Sequence, residues 1–584
     1  MREETSHRTS EPSSRIKGES LNGALLLIAS IIILILGYIL YGRWLARKWG
    51  IDPSRETPAH TEYDGVDFVP AKPSVLLGHH FSSIAGAGPI TGPIQAAVFG
   101  WLPVTLWVLI GGLFFGAVHD FGSMFASVRN KGRSIGEIIS ESMGSRAKKL
   151  FIVFAYLTLI LVIAAFASIV ADTFDGFTSD AEQNLTNGVA ASISMLFIFA
   201  AVVLGAIMNR FNLSSVASAA VAIVILLICV AIGMSYPIYI PADLWIWILA
   251  LYIMAAAIVP VWILLQPRDY LCSFLLYGVT GAAIAGIILA NPELSLPGFT
   301  SFETELGYLF PALFITVACG AISGFHSLVA SGTTAKQIDN ERNILPIGYG
   351  GMLIECVIAI IALVCVGILY SDGSMPSGTP TQIFAQGISS MLSSVGLESY
   401  ETTTYSLVIL AVSAFALTSL DTATRLARFM LQEFFLEKDQ KPKDLQGAKR
   451  IIAHPAVATV ITVMLGMALA TVGYEKVWGL FGAANQLLAV LALLAVCAWL
   501  GNIGRNNRMI YIPMMFMLAA TLSSLVLTMW SKIGDLTAGL DGVAAAQLVI
   551  SALLFVLAVF LMAEGLKVLI EQRRAGMSEG TSRG

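Results

Sequence analysis

Four ionisable side chains stand inside stretches that are otherwise apolar. His119 and Asp120 are neighbours in one run, with Asp120 nine residues before Arg129. At 1.5 Å of helical rise per residue, that is about 13 Å inside the polar edge. Glu355 lies eight residues into a run beginning at Ile347, about 12 Å deep by the same rise. His326 occupies a third run. If these runs cross a bilayer, a charge at the centre costs about 2.5–3.5 kcal/mol, so such residues usually have a task. A carboxylate at that depth is a candidate proton carrier, and an imidazole can relay the proton. The bland alternatives are a helix-cap hydrogen bond for Asp120 and hydrogen-bonded core histidines.

Other polar groups gather at the ends of apolar runs: His79, His80, Arg268, Asp269, Asp421 and Arg425. Arg268 and Asp269 read as a pair at a gate. Asp421 and Arg425 are four residues apart on one helix face, so a structural ion pair is as good a reading as a gate. His79 and His80 have no third ligand nearby in sequence, so no metal site is read there. The six cysteines lie singly in or beside apolar runs without metal-ligand spacing and read as packed free thiols.

The elements that must hold these residues are membrane helices. The chain is 56% hydrophobic and 12% charged, with a mean hydropathy of +0.78. Soluble domains carry about 25% charged residues. Fifteen runs are long enough to span: 24–40, 83–99, 103–127, 150–171, 189–208, 216–234, 244–265, 271–290, 309–329, 347–369, 405–420, 455–472, 477–500, 510–530 and 544–562. With the N-terminus outside and the C-terminus cytoplasmic, all but six of the 34 Lys and Arg residues fall inside. The stretches 172–182, 291–305 and 371–401 then lie outside and hold none. Residues 1–20 read as disordered, and 431–453 and 571–584 as a cytoplasmic loop and tail.

Two places look broken. One is Ser82–Pro93, with four Gly or Pro at 86, 88, 89 and 92 before the last proline; the other is Val259–Arg268, with Pro260 and Pro267. Irregular backbone at membrane depth must line a cavity or be buried in protein. The two lie five spans apart, an odd number, so the units they open run in opposite directions, as in inverted repeats of secondary transporters. This makes 81–235 and 243–430 two five-helix units. The substrate is expected between the breaks, at Ser83, Gly86, Ala87, Gly88, Pro89, Thr91, Gly92, Trp262 and Gln266. The bland reading of Gly88 and Gly92 is a small-residue packing face.

The run Asp67–Lys72 followed by Gly78-His79-His80-Phe81-Ser82-Ser83-Ile84-Ala85-Gly86-Ala87-Gly88-Pro89 resembles the carbon starvation protein A family. So do His119–Gly122, Arg129–Gly132, Leu265–Tyr270, Gly320–Ser327 and Thr418–Arg425. The resemblance runs from about Asp67 to Asn485 and leaves the tail beyond Gly501 generic. It implies an all-α polytopic protein of the bacterial inner membrane with a leucine-transporter-type inverted five-plus-five core, one extra N-terminal helix and about four extra C-terminal ones. It further implies nutrient uptake when carbon runs low, of peptides, with a proton-coupled pyruvate symporter as the alternative and a nutrient sensor as a remoter one. In the amino acid–polyamine–organocation superfamily, in which that family is placed, the span seven places after the first broken helix can help hold sodium, so the resemblance makes Ser331, Thr333 and Thr334 a candidate cation site. A proton is nevertheless the expected coupling ion, through His119, Asp120, His326 or Glu355, and no cofactor is expected. The expected partners are a small-molecule substrate and the lipid bilayer, with no nucleic acid. No HExxH, GxSxG or nucleotide fingerprint suggests an enzyme.

Overall fold

Where lipid cannot hydrogen-bond to the backbone, a chain this apolar satisfies its own amides by coiling into helices. The computed structural model describes residues 21–65, 67–211, 214–436, 444–539 and 542–581. The expectation for residues 1–20 lies outside them, as do parts of the two cytoplasmic segments expected at 431–453 and 571–584. In chain order the main helices are α1 (Gly23–Trp49), α2 (Pro73–Ile84), α3 (Gly88–Ala96), α4 (Trp101–Arg129), α5 (Ser145–Thr173) and α6 (Ala181–Phe211). They continue as α7 (Ser215–Ser235), α8 (Ala242–Ile258), α9 (Leu265–Ala290), α10 (Leu309–Val317), α11 (Gly324–Gly332) and α12 (Gly350–Leu369). The last six are α13 (Pro380–Leu392), α14 (Glu401–Phe434), α15 (Pro455–Ala470), α16 (Tyr474–Asn502), α17 (Arg508–Ala538) and α18 (Gly542–Thr581).

Twelve helical stretches among the described residues are long and apolar enough to cross a membrane. Two shorter apolar helices, α8 and α15, and the broken pair α2/α3 fall on the other three expected spans. At the centre α5 lies against α14, and α16 packs on α5. At the rim, α7 and α18 present side chains such as Leu227, Ile228, Val559 and Phe560 outward, as lipid-facing helices do.

The first expected break is present: Ala85 leaves helical geometry (φ −78°, ψ 53°) and α3 restarts at Gly88. The second is corrected. Val259–Leu264 is not a break inside one span but the connection between α8 and α9. The residue before a proline is pushed out of helical geometry, and Val259 before Pro260 is extended, so α8 stops there. The helix that is broken lies further on, between α10 and α11. Ala318 sits at φ 35°, a strained value for a residue with a Cβ, and Ser323 is extended. This break faces the first one, because α3 packs on α10.

Glycines permit that approach. A Cβ on Gly92 would lie 2.6 Å from the Thr316 and Val317 carbonyl oxygens, and one on Gly88 would lie 2.6 Å from Cys319 Sγ. On the far side of the second break, a Cβ on Gly116 of α4 would lie 2.3 Å from the Ala321 carbonyl oxygen. Another difference lies at 371–401, expected as an external loop. Its helix α13 is started by a capping box, Thr379 with Gln382.

Candidate functional site

The first wall is built from the α2/α3 break. Ser83, Gly86, Ala87, Gly88, Pro89, Thr91 and Gly92 are all buried. Helix α14 braces the turn: Ser419 Oγ donates to the Ser83 carbonyl at 3.0 Å, and the Ser83 and Thr422 hydroxyls lie 3.4 Å apart. Thr91 faces a polar cleft shared with Asp172, Asn187 and Thr381. Beyond it, a cavity of about 620 Å³ opens between α3, α10, α13, α16 and α17, past Gln95, Thr316 and Trp478. That falls within the roughly 300–1,000 Å³ of small-ligand pockets. Trp262 and Gln266 do not share this wall. They line a separate cavity with Tyr63, Val69, Gly205 and Met208, because the connection carrying them packs on α6.

The second wall is the α10/α11 break, and here the predicted ionisable residues meet. In α4 a π-turn at Gly112–Gly116 inserts an extra residue just before His119 and Asp120, which re-phases the helix that follows. Asp120 therefore does not cap a helix start. Its Oδ1 accepts from His119 Nδ1 at 2.8 Å and its Oδ2 from His326 Nδ1 at 2.9 Å. The other ring nitrogen of His326 lies 3.5 Å from Glu355 Oε2. All four side chains are fully buried. Neither Glu355 oxygen has a hydrogen-bond partner among the described residues, nor does His326 Nε2. Unpaired buried polar atoms are costly, which makes this group a candidate for holding a proton or a ligand.

A second cluster joins the residues read as a gate, with different partners from those expected. Arg268 does not pair with Asp269, nor Asp421 with Arg425. Adjacent residues on α9 point to different sides, so Arg268 reaches across to Asp421 on α14 and Asp269 accepts from His79 Nδ1 at 2.6 Å. Tyr252 of α8 donates to Asp421 at 2.5 Å and accepts from Arg268 at 3.0 Å. Arg425 turns instead to the freed carbonyls of Ala256 and Val259 at the end of α8, and its other nitrogen lies 3.6 Å from Asp67. His80 Nδ1 and Thr334 Oγ1 are 2.9 Å apart, and Ser82 donates to the Asp269 carbonyl. The cluster thus ties α2, α8, α9, α14 and the turn that follows α11 together.

The three hydroxyls considered for a cation have separate partners. Ser331 donates to the Ser327 carbonyl at 2.7 Å and Thr333 to Val329 at 2.9 Å, both within their own helix. Thr334 is engaged with His80.

Three residues of these clusters were not singled out from sequence. Asn485 of α16 holds the second break, its Oδ1 accepting from Phe325 N at 2.8 Å and its Nδ2 donating to Ser323 Oγ at 3.0 Å. Cys319 sits at the break itself, and Tyr252 bridges the ion pair. The sequence signal that could have found the break is Gly320, Ser323 and Gly324. A tyrosine or cysteine in an apolar helix signals nothing by type.

Comparison with known proteins matches the family described as "Carbon starvation protein CstA" over residues 22–379 and 370–524. The chain is 35% identical to a protein of Campylobacter jejuni named "Peptide transporter CstA", over 86% of this chain and 80% of that one. It is 32% identical to an Escherichia coli protein named "Pyruvate/proton symporter BtsT", over 82% of this chain and 77% of that one. Among solved structures, a manganese transporter of Eremococcus coleocola overlays with a TM-score of 0.49 at 12% identity, covering 90% of this chain and 99% of that chain.

Proposed function

Because the chain belongs to the carbon starvation protein CstA family, we propose that it is a secondary active transporter that carries short peptides across the bacterial inner membrane, coupled to protons. The observation that carries the reading is the buried Asp120–His326–Glu355 chain set against two facing helix breaks. Each break presents one helix C-terminus and one N-terminus: α2 ends and α3 begins at the first, α10 ends and α11 begins at the second. Helix N-termini favour a carboxylate and C-termini an ammonium. A zwitterionic peptide can use both kinds of end, whereas a monocarboxylate uses one.

In this reading the units opened by α2/α3 and α10/α11 are the inverted pair. They lie seven expected spans apart, again an odd number, so they run oppositely through the membrane. The positive-inside orientation puts the cavity beside α3 and α10 on the external side. It puts the Arg268–Asp421 and His79–Asp269 cluster on the cytoplasmic side, where it closes the path. A proton entering from outside is held by Glu355 or His326 and is handed along His326 to Asp120. Its release inside requires the second cluster to open, which is alternating access.

The test is counterflow and pH-driven uptake in proteoliposomes, with a labelled dipeptide and labelled pyruvate side by side. Dipeptide accumulation driven by an inward proton gradient is expected. Accumulation of pyruvate alone replaces the substrate and leaves the coupling; no counterflow of either refutes a carrier for these compounds.

A further inference from the structure

The chemistry at the second break goes beyond proton carriage. Cys319 Sγ, a ring nitrogen of His326 and a carboxylate oxygen of Glu355 all lie within 4.8 Å of one another, and all three residues are buried. Asp120 holds the opposite nitrogen of His326 at 2.9 Å. A carboxylate can only accept, so that nitrogen carries the hydrogen and Nε2 turns its lone pair toward Glu355 and Cys319. The arrangement of carboxylate, histidine and open lone pair is the one that orients metal-ligating histidines. Apart from the weak S–H of Cys319, the three groups contain no donor to satisfy Glu355. Whenever Glu355 is ionised, either a proton on Nε2 of His326, 3.5 Å away, or a bound cation must sit among them to balance it.

We propose that Cys319, His326 and Glu355 bind a divalent transition metal of borderline softness, such as Zn²⁺, and that the bound ion stops transport. Thiolate, imidazole and carboxylate are together a zinc-type donor set, with a fourth position left open. Hard cations such as Mg²⁺ prefer all-oxygen sites and are not suited to it. Binding releases the thiol proton of Cys319, and that of Glu355 if it is protonated, to solvent. Thr316, three residues before Cys319, lines the open cavity beside α3 and α10, so the site lies about one helical turn along the chain from that cavity. The block rests on the proton-coupling reading, since the ion occupies the site the proton uses; the binding does not.

The experiment separates the two. Zn²⁺ alone is titrated calorimetrically into the purified full-length protein, with Mg²⁺ in parallel, for wild type, Cys319→Ser, Cys356→Ser and Asp120→Asn. One Zn²⁺ per chain is expected for wild type and Cys356→Ser. Affinity should fall on the order of tenfold or more for Cys319→Ser, and about 10–100-fold for Asp120→Asn, which orients the histidine without touching the metal. Circular dichroism and the melting temperature of each variant without metal show that it is folded. Micromolar Zn²⁺ should then inhibit uptake by wild type and by Cys356→Ser, and the inhibited fraction, each variant being measured against its own metal-free rate, should be much smaller for Cys319→Ser. Equal Zn²⁺ affinity in wild type and Cys319→Ser, equal Mg²⁺ affinity, or binding without inhibition overturns the proposal. A failure of the coupling reading shows differently, as proton-driven uptake by Asp120→Asn equal to wild type.

Discussion

Two buried ionic clusters lie along the path, and they are built on opposite principles. Around Arg268 each charge meets an opposite charge: guanidinium with the Asp421 carboxylate, the phenol of Tyr252 bridging both, and Asp269 with His79. Around Asp120 two imidazoles share one carboxylate, while Glu355, against the same His326, has no hydrogen-bond donor among the described residues. The first is a lock of paired opposite charges, although Asp421 Oδ1 and His79 Nε2 have no partner among the described residues. In the second, the Glu355 carboxylate faces no permanently charged cation among those residues, only a histidine. Burial alone does not tell them apart, since both are almost wholly buried; the supply of donors does.

The sharpest way to break the lock is to remove one member. Breaking a buried ion pair costs about 3–5 kcal/mol because the partner is left buried and uncompensated. Arg268→Ala and Asp421→Ala should each lower the melting temperature of the purified protein strongly. Replacing both with apolar residues of similar volume, Arg268→Met with Asp421→Leu, should recover much of that loss. If the double variant melts no higher than either single one, the cluster is not a mutually satisfied pair.

The second cluster should respond in function rather than in stability. Asp120→Asn keeps a group able to accept from one histidine but removes the charge that, in the proposed coupling, draws a proton along His326. Proton-driven accumulation should fall tenfold or more while exchange of substrate persists. Glu355→Gln should uncouple in the same way, with a smaller change in melting temperature than Arg268→Ala because it breaks no hydrogen bond among the described residues. Normal coupled uptake by both variants removes the proton path from this cluster.

What the sequence disclosed follows the same division. Asp120, His326 and Glu355 were legible one at a time, because a charge or imidazole deep in an apolar run is conspicuous. Their meeting was not, since Glu355 lies on the next span and Asp120 on a distant one, and one helix says nothing of which face it turns to another. The breaks were read from proline. That found α2/α3, but it promoted the Pro260 turn, where proline merely ends a helix, and passed over Ala318–Ser323, which breaks without any proline. The ion pairs were read along single helices, Asp421 with Arg425, whereas the fold offered Asp421 a closer guanidinium from α9. Thr379-Pro380-Thr381-Gln382 carried a capping box in plain view, and α13 follows from it.

The smallest effects should come from the hydroxyls at the end of α11, and they test whether a third kind of cluster exists. A sodium site needs hydroxyls and freed carbonyls turned toward one point. Ser331 and Thr333 instead give their hydrogens to carbonyls of their own helix, at 2.7 and 2.9 Å. Such back-bonding is what serines and threonines do in ordinary apolar helices, and it contributes little to stability. Thr333→Ala should therefore shift stability by about 1 kcal/mol or less. Ser331→Ala should shift it by about 1–1.5 kcal/mol, because its oxygen also accepts from Ile135 N at 3.4 Å. Uptake should be the same in sodium and in potassium. Thr334→Ala is the informative contrast, because its hydroxyl reaches His80 across to α2. It should loosen the lock slightly and leave the proton dependence alone. If Ser331→Ala or Thr333→Ala instead abolishes a sodium-dependent part of uptake, coupling belongs at the end of α11, and Asp120 with its histidines becomes a structural knot.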